Sequence, residues 1–281
     1  MRTYSSNAQL QAALDYFRGN GQSVAFVPTM GNLHEGHLKL VRKARSLCDV
    51  VVVSIFVNPL QFGANEDLDS YPRTMSLDKE KLFGEGVQIL YAPEAKEIYP
   101  EGMTAQTQVR VPDLSETLCG SSRPGHFDGV TTVVAKLFNI VQPDVAVFGE
   151  KDFQQLQVIK RMVIDLNFPL EIKGMPIVRE EDGLAMSSRN VRLSRSARQE
   201  AVAISQGLLA AQDQFALGSR ESKRLVESVV SVLAPTSAEI DYVKLVDAKT
   251  LQDSPIASEG CVIVVAVVFD DVRLIDNLVL E

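Results

Sequence analysis

The chain holds three histidines, and two of them, His34 and His37, fall within Thr29-Met30-Gly31-Asn32-Leu33-His34-Glu35-Gly36-His37. Residues i and i+3 share a helix face, so both imidazoles can address one ligand. An apolar, β-branched run, Ser23–Thr29, ends just before them, and a helical pattern begins near His34. A helix start offers unpaired amides and the positive end of the backbone dipole, a setting that favours phosphate. Gly31 and Gly36 allow close backbone approach to such an anion. A zinc hydrolase fits poorly, because HExxH spaces its histidines four apart with the glutamate between them. For an HxxH taken alone, two histidines in an ordinary turn is an equal alternative. Its position after the first strand of an alternating sheet favours phosphate.

The elements that must position this pair follow from hydrophobic spacing. Leu38, Val41, Ala44 and Leu47 sit at helical intervals, and Asp49–Val57 is apolar on both alternating faces, as a strand covered on both sides must be. A helix near Thr74–Gly84, a strand at Val87–Tyr91, a helix over Gly129–Val141, a strand at Asp144–Phe148 and a helix over Phe153–Leu166 continue the alternation. Such repetition implies parallel pairing by right-handed crossovers, hence an α/β fold with a doubly wound parallel, Rossmann-like sheet. Ligands of such sheets bind at the carboxyl ends of the strands. After about residue 176 the rhythm changes to helices Ser194–Leu217 and Arg220–Leu233, then strand runs Glu239–Val246, Cys261–Phe269 and Val272–Leu280. We therefore expect a first domain over 1–176 and a smaller α+β C-terminal domain over 177–281, with no linker composition at the boundary.

Composition narrows the class. The 281 residues are 46% hydrophobic and 23% charged, which is ordinary globular content, and Lys plus Arg of 28 against Asp plus Glu of 36 leaves a net charge of −8. That balance argues against a nucleic-acid or anionic-membrane surface, although a small basic pocket for a nucleotide is compatible with it. Cys48, Cys119 and Cys261 are odd in number and form no CxxC pair, as expected of a reducing, cytoplasmic setting. The start MRTYSSNAQLQAAL has no basic segment followed by an apolar run, and the longest apolar stretches are of strand length, too short for a bilayer.

The string VPTMGNLHEGHLKLV contains a variant of the HIGH motif and resembles the nucleotidyltransferase superfamily, more narrowly the pantothenate synthetase (pantoate–β-alanine ligase) family. Further blocks agree in order: Ser54–Phe62 (SIFVNPLQF), Tyr71–Thr74 (YPRT), Arg123–Phe127 (RPGHF), Phe148–Gln155 (FGEKDFQQ) and Met186–Asn190 (MSSRN). They spread from residue 27 to 190, and the last ninety or so residues add no motif.

The resemblance implies joining of pantoate to β-alanine at the expense of ATP, through a pantoyl adenylate, giving pantothenate, AMP and pyrophosphate. It also implies ATP and pantoate binding by 1–176, a lid role for 177–281, and a homodimer through the larger domain. His34 and His37 would contact phosphate oxygens, with His37 the proton donor. Lys151 follows the strand Asp144–Phe148 and would bridge carboxylate and α-phosphate; apart from its motif it reads as a solvated lysine at a helix start. The ATP contacts implied are Met30, Gly31, Asn32, Leu33, His34, Glu35, Gly36, His37, Gly149, Glu150, Lys151, Asp152, Val178, Met186, Ser187, Ser188 and Arg189. Gly149 and Asp152 would serve the ribose, Asp152 being otherwise a helix cap, and Val178 would offer backbone atoms to adenine. Ser187, Ser188 and Arg189 match the phosphate loop that aminoacyl-tRNA synthetases write as KMSKS. Ala185 precedes Met186, so the positive charge of this loop rests on Arg189.

Pantoate would meet Gln61, Gln155 and Met30, and β-alanine Gln61. Val130, Val133 and Val134 form an apolar wall or simple core, Asn58 would order the pantoate site, and Arg123 neutralises substrate or makes a structural ion pair. Mg²⁺ arrives with ATP and keeps its waters. Asp78 is its candidate contact, through water, against the plain reading of an exposed helical acid. Two other readings keep the phosphate chemistry: a nucleotidyltransferase of this fold acting on another small acid or phosphate, and an idle ATP-binding regulatory module. The glutamines and the FVNPLQF block argue against the first, and the full set of His34, His37, Lys151 and Arg189 against the second.

Overall fold

A strand apolar on both alternating faces has to be covered on both sides, and the run beginning at Asp49 meets that demand at the centre of a sheet. The computed structural model describes residues 1–63 and 68–281. In chain order, its elements begin β1 (Arg2–Tyr4), α1 (Asn7–Gly19), β2 (Val24–Thr29), α2 (Glu35–Leu47), β3 (Val50–Ile55), α3 (Met75–Gly84), β4 (Ile89–Tyr91), α4 (Ala95–Ile98), α5 (Cys119–Ser122), α6 (His126–Val141), β5 (Val145–Gly149), α7 (Phe153–Asp165) and β6 (Glu171–Met175). There follow α8 (Arg195–Glu200), α9 (Ala203–Ala216), α10 (Ser222–Leu233), β7 (Glu239–Asp247), β8 (Cys261–Phe269) and β9 (Val272–Val279).

Two compact units result. The first comprises Met1–Glu116, Gly120–Glu150 and Gln155–Pro176, and the second Thr117–Cys119, Lys151–Gln154 and Ile177–Glu281. Two short pieces numbered below 176 therefore fall with the second unit.

In the first unit, six parallel strands run in the order β1-β4-β3-β2-β5-β6. This is the doubly wound sheet expected from the alternating pattern. From β2 the chain proceeds outward through β3 and β4 on one side and later through β5 and β6 on the other, so strand order reverses between β2 and β5. Carboxyl ends at such a reversal form a crevice. All six residues of β3 are buried. One sheet face packs Ala25, Val27, Val51 and Val53 against Val41 and Ala44 of α2 and Leu82 of α3. On the other, the Phe26 ring meets Phe138 of α6 edge-on at 6.4 Å, and Phe138 meets Phe148 and Phe168 at 6.4 and 5.6 Å.

The second unit is a three-stranded antiparallel sheet, β7-β8-β9. Its core joins Ile263, Val265 and Phe269 to Leu208 and Phe215 of α9 and Leu225 and Val229 of α10. The expected single helix Ser194–Leu217 is two helices, with a tighter turn at Ala201–Val202 in which Ile204 N–H donates to Ala201 O at 3.1 Å. No glycine or proline marks that break. Glu200, at the end of α8, instead accepts from Ser237 N and Oγ.

One glycine positions the segment that follows β3. Asn58 caps the turn Pro59–Gln61, which lies directly on α6: a Cβ at Gly129 would stand 2.3 Å from Leu60 O and 2.7 Å from Gln61 N. Those atoms are backbone and cannot rotate away. Gly129→Ala is expected to destabilise the protein by about 1–3 kcal/mol, as overpacking does, and to lower activity by shifting Gln61. Gly84→Ala, with nothing within 4 Å of its new Cβ, should leave the urea midpoint unchanged or raise it. Equal midpoints for the two variants would refute this account of α6.

Candidate active site

The chain leaves β2 at Thr29 and must reverse to start α2. It does so through two residues of positive φ, Gly31 at +84° and Asn32 at +49°. This turn aims successive amides at one carboxylate on α3. Asn32 N–H donates to Asp78 Oδ2 at 3.0 Å and Leu33 N–H to Asp78 Oδ1 at 2.8 Å, while Thr74 Oγ1 donates to Oδ2 at 3.1 Å. Lys81, on the same face of α3, donates from Nζ to Leu33 O at 2.5 Å. Gly31 N–H turns back to Thr29 Oγ1 at 3.2 Å. The amides of Asn32 and Leu33, two residues that the resemblance places among the ATP contacts, are thus bonded to the protein's own carboxylate. Asp78 is not the exposed helical acid of the plain reading: it is 1% exposed.

His34 follows as the cap of α2, with extended backbone (φ −124°, ψ 175°). Its N–H donates to His37 Nδ1 at 3.3 Å, and the two rings lie 4.0 Å apart at 45°. An imidazole that accepts at Nδ1 carries its neutral-state proton on Nε2. His37 therefore offers an N–H from its far edge. Gly36 lies in the first turn between them, and Glu35 pairs with Arg42, which also binds Glu85.

The same unit holds the uncharged candidates. Gln61 Nε2 donates to Met30 Sδ at 3.1 Å, joining the two residues that the family resemblance assigns to pantoate. The Gln61 carbonyl accepts from His126 Nδ1 at 2.8 Å, and Arg123 Nη1 lies 3.0 Å from His126 Nε2. Arg123, read as a neutraliser of substrate or a structural group, here engages the third histidine. Val130, Val133 and Val134 are buried on α6. Gly149 ends β5, Gln155 is half-buried on α7, and the Glu150 side chain lies across Gly174 of β6, where a Cβ would stand 2.7 Å from its Oε1.

The cationic candidates Lys151 and Arg189 lie in the second unit, each on backbone that is tied down. The Lys151 carbonyl accepts from Asn277 Nδ2 of β9 at 3.0 Å. Asp152, beside it, is exposed. Val178 O accepts from Met186 N at 2.9 Å, closing a hairpin whose base is the bidentate pair of Arg179 with Asp276, at 2.6 and 3.1 Å. Arg198 bonds both Glu180 and Asp182 at 2.7 Å and holds the Asp182 carboxyl below the usual range. Beyond the hairpin, Ser187 Oγ accepts from Arg189 N at 3.2 Å, Ser187 O accepts from Asn190 N at 3.1 Å, and Ser188 completes the turn.

Among the described residues no group of three His, Cys, Asp or Glu side chains could hold a metal ion. Asp78, buried and bonded to three donors, does not fit a resident Mg²⁺. No described helix is long and apolar enough to cross a membrane.

The model of the family described as Pantoate-beta-alanine ligase matches residues 2–279. The chain belongs to the pantoate–β-alanine ligase family. It is 52% identical to the pantothenate synthetase of Pseudomonas putida (strain W619), over 99% of this chain and 97% of that one. It is also 52% identical to that of Pseudomonas entomophila (strain L48), over 100% and 98%. The crystal structure of pantothenate synthetase from Thermus thermophilus superposes with a TM-score of 0.93 at 47% identity, covering 99% of each chain. A pantoate–β-alanine ligase from Francisella tularensis, complexed with β,γ-ATP and β-alanine, gives 0.83 at 35%, covering 99% and 97%.

For a pantoate–β-alanine ligase of this sequence, two supporting residues escaped motif reading. Asp276 and Asn277 lie in a strand run that is apolar apart from them and Arg273, and neighbours on a strand point to opposite faces. Buried polar side chains need partners, so a polar pair inside such a run was the signal available. Asp78→Asn replaces one acceptor by a donor facing the loop amides. It should cost about 1–3 kcal/mol of stability, the penalty of unpaired buried donors, and lower turnover at least about tenfold by displacing His34 and His37. Raising Mg²⁺ should not restore activity; rescue by Mg²⁺ in a steady-state assay would show Asp78 acting on the metal instead.

Proposed function

We propose that this chain condenses pantoate with β-alanine, using ATP and releasing AMP and pyrophosphate through a pantoyl-adenylate intermediate. The observation that carries the reading is the family match over residues 2–279. The β,γ-ATP and β-alanine with which the Francisella relative is complexed support the nucleotide and the amine.

The chemical obstacle is that a carboxylate is a poor electrophile and its charge repels the α-phosphate. In the first step a pantoate carboxylate oxygen attacks the α-phosphorus, and the bond to the bridging oxygen breaks as pyrophosphate leaves. In the second, the β-alanine amine attacks the acyl carbon, the bond to AMP breaks, and the amine loses its proton. Catalysis amounts to offsetting charge, aligning reactants and keeping water from the adenylate.

His34 and His37 meet the phosphate oxygens, and His37 donates the proton. In its neutral state His37 directs a hydrogen bond from Nε2, set by the bond from His34 N–H to Nδ1; to give up a proton it must first be imidazolium, with Nδ1 released from that bond. Lys151 offsets the repulsion between carboxylate and α-phosphate. Arg189, with Met186, Ser187 and Ser188, grips the departing phosphates through a guanidinium fork that holds two oxygens. Met30 to Glu35, Gly36, Gly149, Glu150, Asp152 and Val178 complete the nucleotide contacts. Gln61, Gln155 and Met30 take pantoate, since amides bind hydroxyl and carboxylate without neutralising the nucleophile; Gln61 also meets β-alanine. Mg²⁺ enters with ATP as the counter-ion of that substrate. The reading includes a homodimer through the larger unit and a cytoplasmic setting.

The decisive assay supplies ATP, pantoate and β-alanine singly and together. AMP, pyrophosphate and pantothenate should form in equal amounts only with all three. A nucleotidylated acid as final product would mark a nucleotidyltransferase, and ATP binding without turnover a regulatory module; either refutes the proposal. Lys151→Ala should slow adenylate formation by roughly two orders of magnitude, about 2.7 kcal/mol in barrier. Pre-steady-state pyrophosphate release at the wild-type rate would remove Lys151 from its role.

A further inference from the structure

A glutamine can present either its carbonyl or its NH₂ to a ligand, and the choice decides which groups it accepts. At Gln61 that choice is dictated by a chain of bonds that starts on backbone atoms, whose polarity is fixed. Leu60 N–H donates to the Asn58 side chain at 3.4 Å, which makes that atom Oδ1. Its other terminal atom donates to the Gly129 carbonyl at 3.1 Å and is therefore Nδ2. The same Nδ2 lies 3.3 Å from the Gln61 side chain, which must meet it with Oε1. Gln61 is left with Nε2 on its outer side, toward Met30 Sδ.

Tyr99 locks the origin of this chain. Its Oη donates to Asn58 Oδ1 at 2.7 Å, the shortest bond in the series. Asn58 and Tyr99 are both buried, and burial pushes the Tyr99 hydroxyl above the usual phenol range, so it stays a donor. The ring is held in turn: Lys136 Nζ sits 5.3 Å from its centroid and donates to the adjacent Ile98 carbonyl at 2.9 Å, and Phe56 packs 6.3 Å away.

We propose that Tyr99 and Asn58 are positioning residues that orient the Gln61 amide, so that the acid substrate meets an N–H donor and never a carbonyl. The inference rests on the reading of Gln61 as a pantoate contact. It adds that specificity at this point is for a hydrogen-bond acceptor, a carboxylate or hydroxyl oxygen, and is set two residues away from the ligand.

The test is a double-mutant cycle on the full-length enzyme, with KM and kcat measured for pantoate, β-alanine and ATP. Tyr99→Phe keeps the ring and removes the donor; it should raise the pantoate KM about fivefold, on the scale of one lost hydrogen bond, with the ATP KM within about twofold of wild type. Gln61→Ala should raise the pantoate KM more. In the Gln61→Ala background, Tyr99→Phe should add less than about twofold, because the amide it orients is gone. Undiminished Tyr99→Phe effects in that background would overturn the relay, as would a parallel rise in the ATP KM, the mark of a merely structural tyrosine. An unchanged pantoate KM in Gln61→Ala alone would instead defeat the pocket assignment, a separable failure. Asn58→Asp, which removes the donor to Oε1 and frees the amide to turn, should reproduce the Tyr99→Phe pattern; wild-type pantoate KM there would likewise overturn the relay.

Discussion

The carboxylate of Asp78 binds the loop that carries the histidine pair, and the geometry of the first unit depends on that contact. Burying an ionised carboxylate costs several kcal/mol unless its oxygens are satisfied. Two backbone amides and a threonine hydroxyl satisfy this one, and bonds to a charged acceptor contribute about 1.5–3 kcal/mol each. The exchange fixes a turn that is otherwise costly, since Asn32 sits at positive φ. A loop held before substrate arrives needs no reorganisation when charge develops on the phosphates, the condition under which electrostatic stabilisation is most effective.

The second unit solves a related problem differently. Lysine and arginine side chains are long and mobile, and a carboxylate partner would both order and neutralise them. Here Asn277, a neutral amide, holds the Lys151 backbone through its carbonyl, a contact that leaves the ammonium charge intact. Acids around it pair with other cations: the buried Asp276 takes Arg179 at the foot of the hairpin, and the half-buried Glu180 and exposed Asp182 take Arg198. The hairpin that leads into Ser187-Ser188-Arg189 is thus braced by the ion pairs of Arg179 and Arg198. Enzymes of the pantoate–β-alanine ligase family must present positive charge to a triphosphate, and this arrangement orders the backbone around that charge.

Legibility in the sequence tracked how far each element carries its own cause. The central strands were plain because β3 and the Val24–Val27 stretch of β2 are buried on both faces and so are apolar but for Ser54. β1 and β6 carried no such mark. Arg2–Tyr4 has just three residues, and Glu171–Met175 alternates charge with apolar side chains, as suits an edge that water reaches; both exist by pairing with β4 and β5. α1 went unread because it buries deeply only Leu10 and Leu14. The break after Glu200 left no trace either, since the local sequence favours a helix straight through it.

Taken alone, the sequence determined the class of sheet, the start of α2 near His34, and membership in a family whose motifs are runs of adjacent residues. These are local properties, set by spacing along one strand, one turn or one helix. Only tertiary structure decided that Asp78 is committed to the loop amides, that Asn277 and Asp276 brace the second unit, and that Tyr99 and Asn58 set the sense of Gln61. Each of those depends on a hydrogen bond between segments remote along the chain. Polarity and distance across such a gap exist only after packing has brought the partners together.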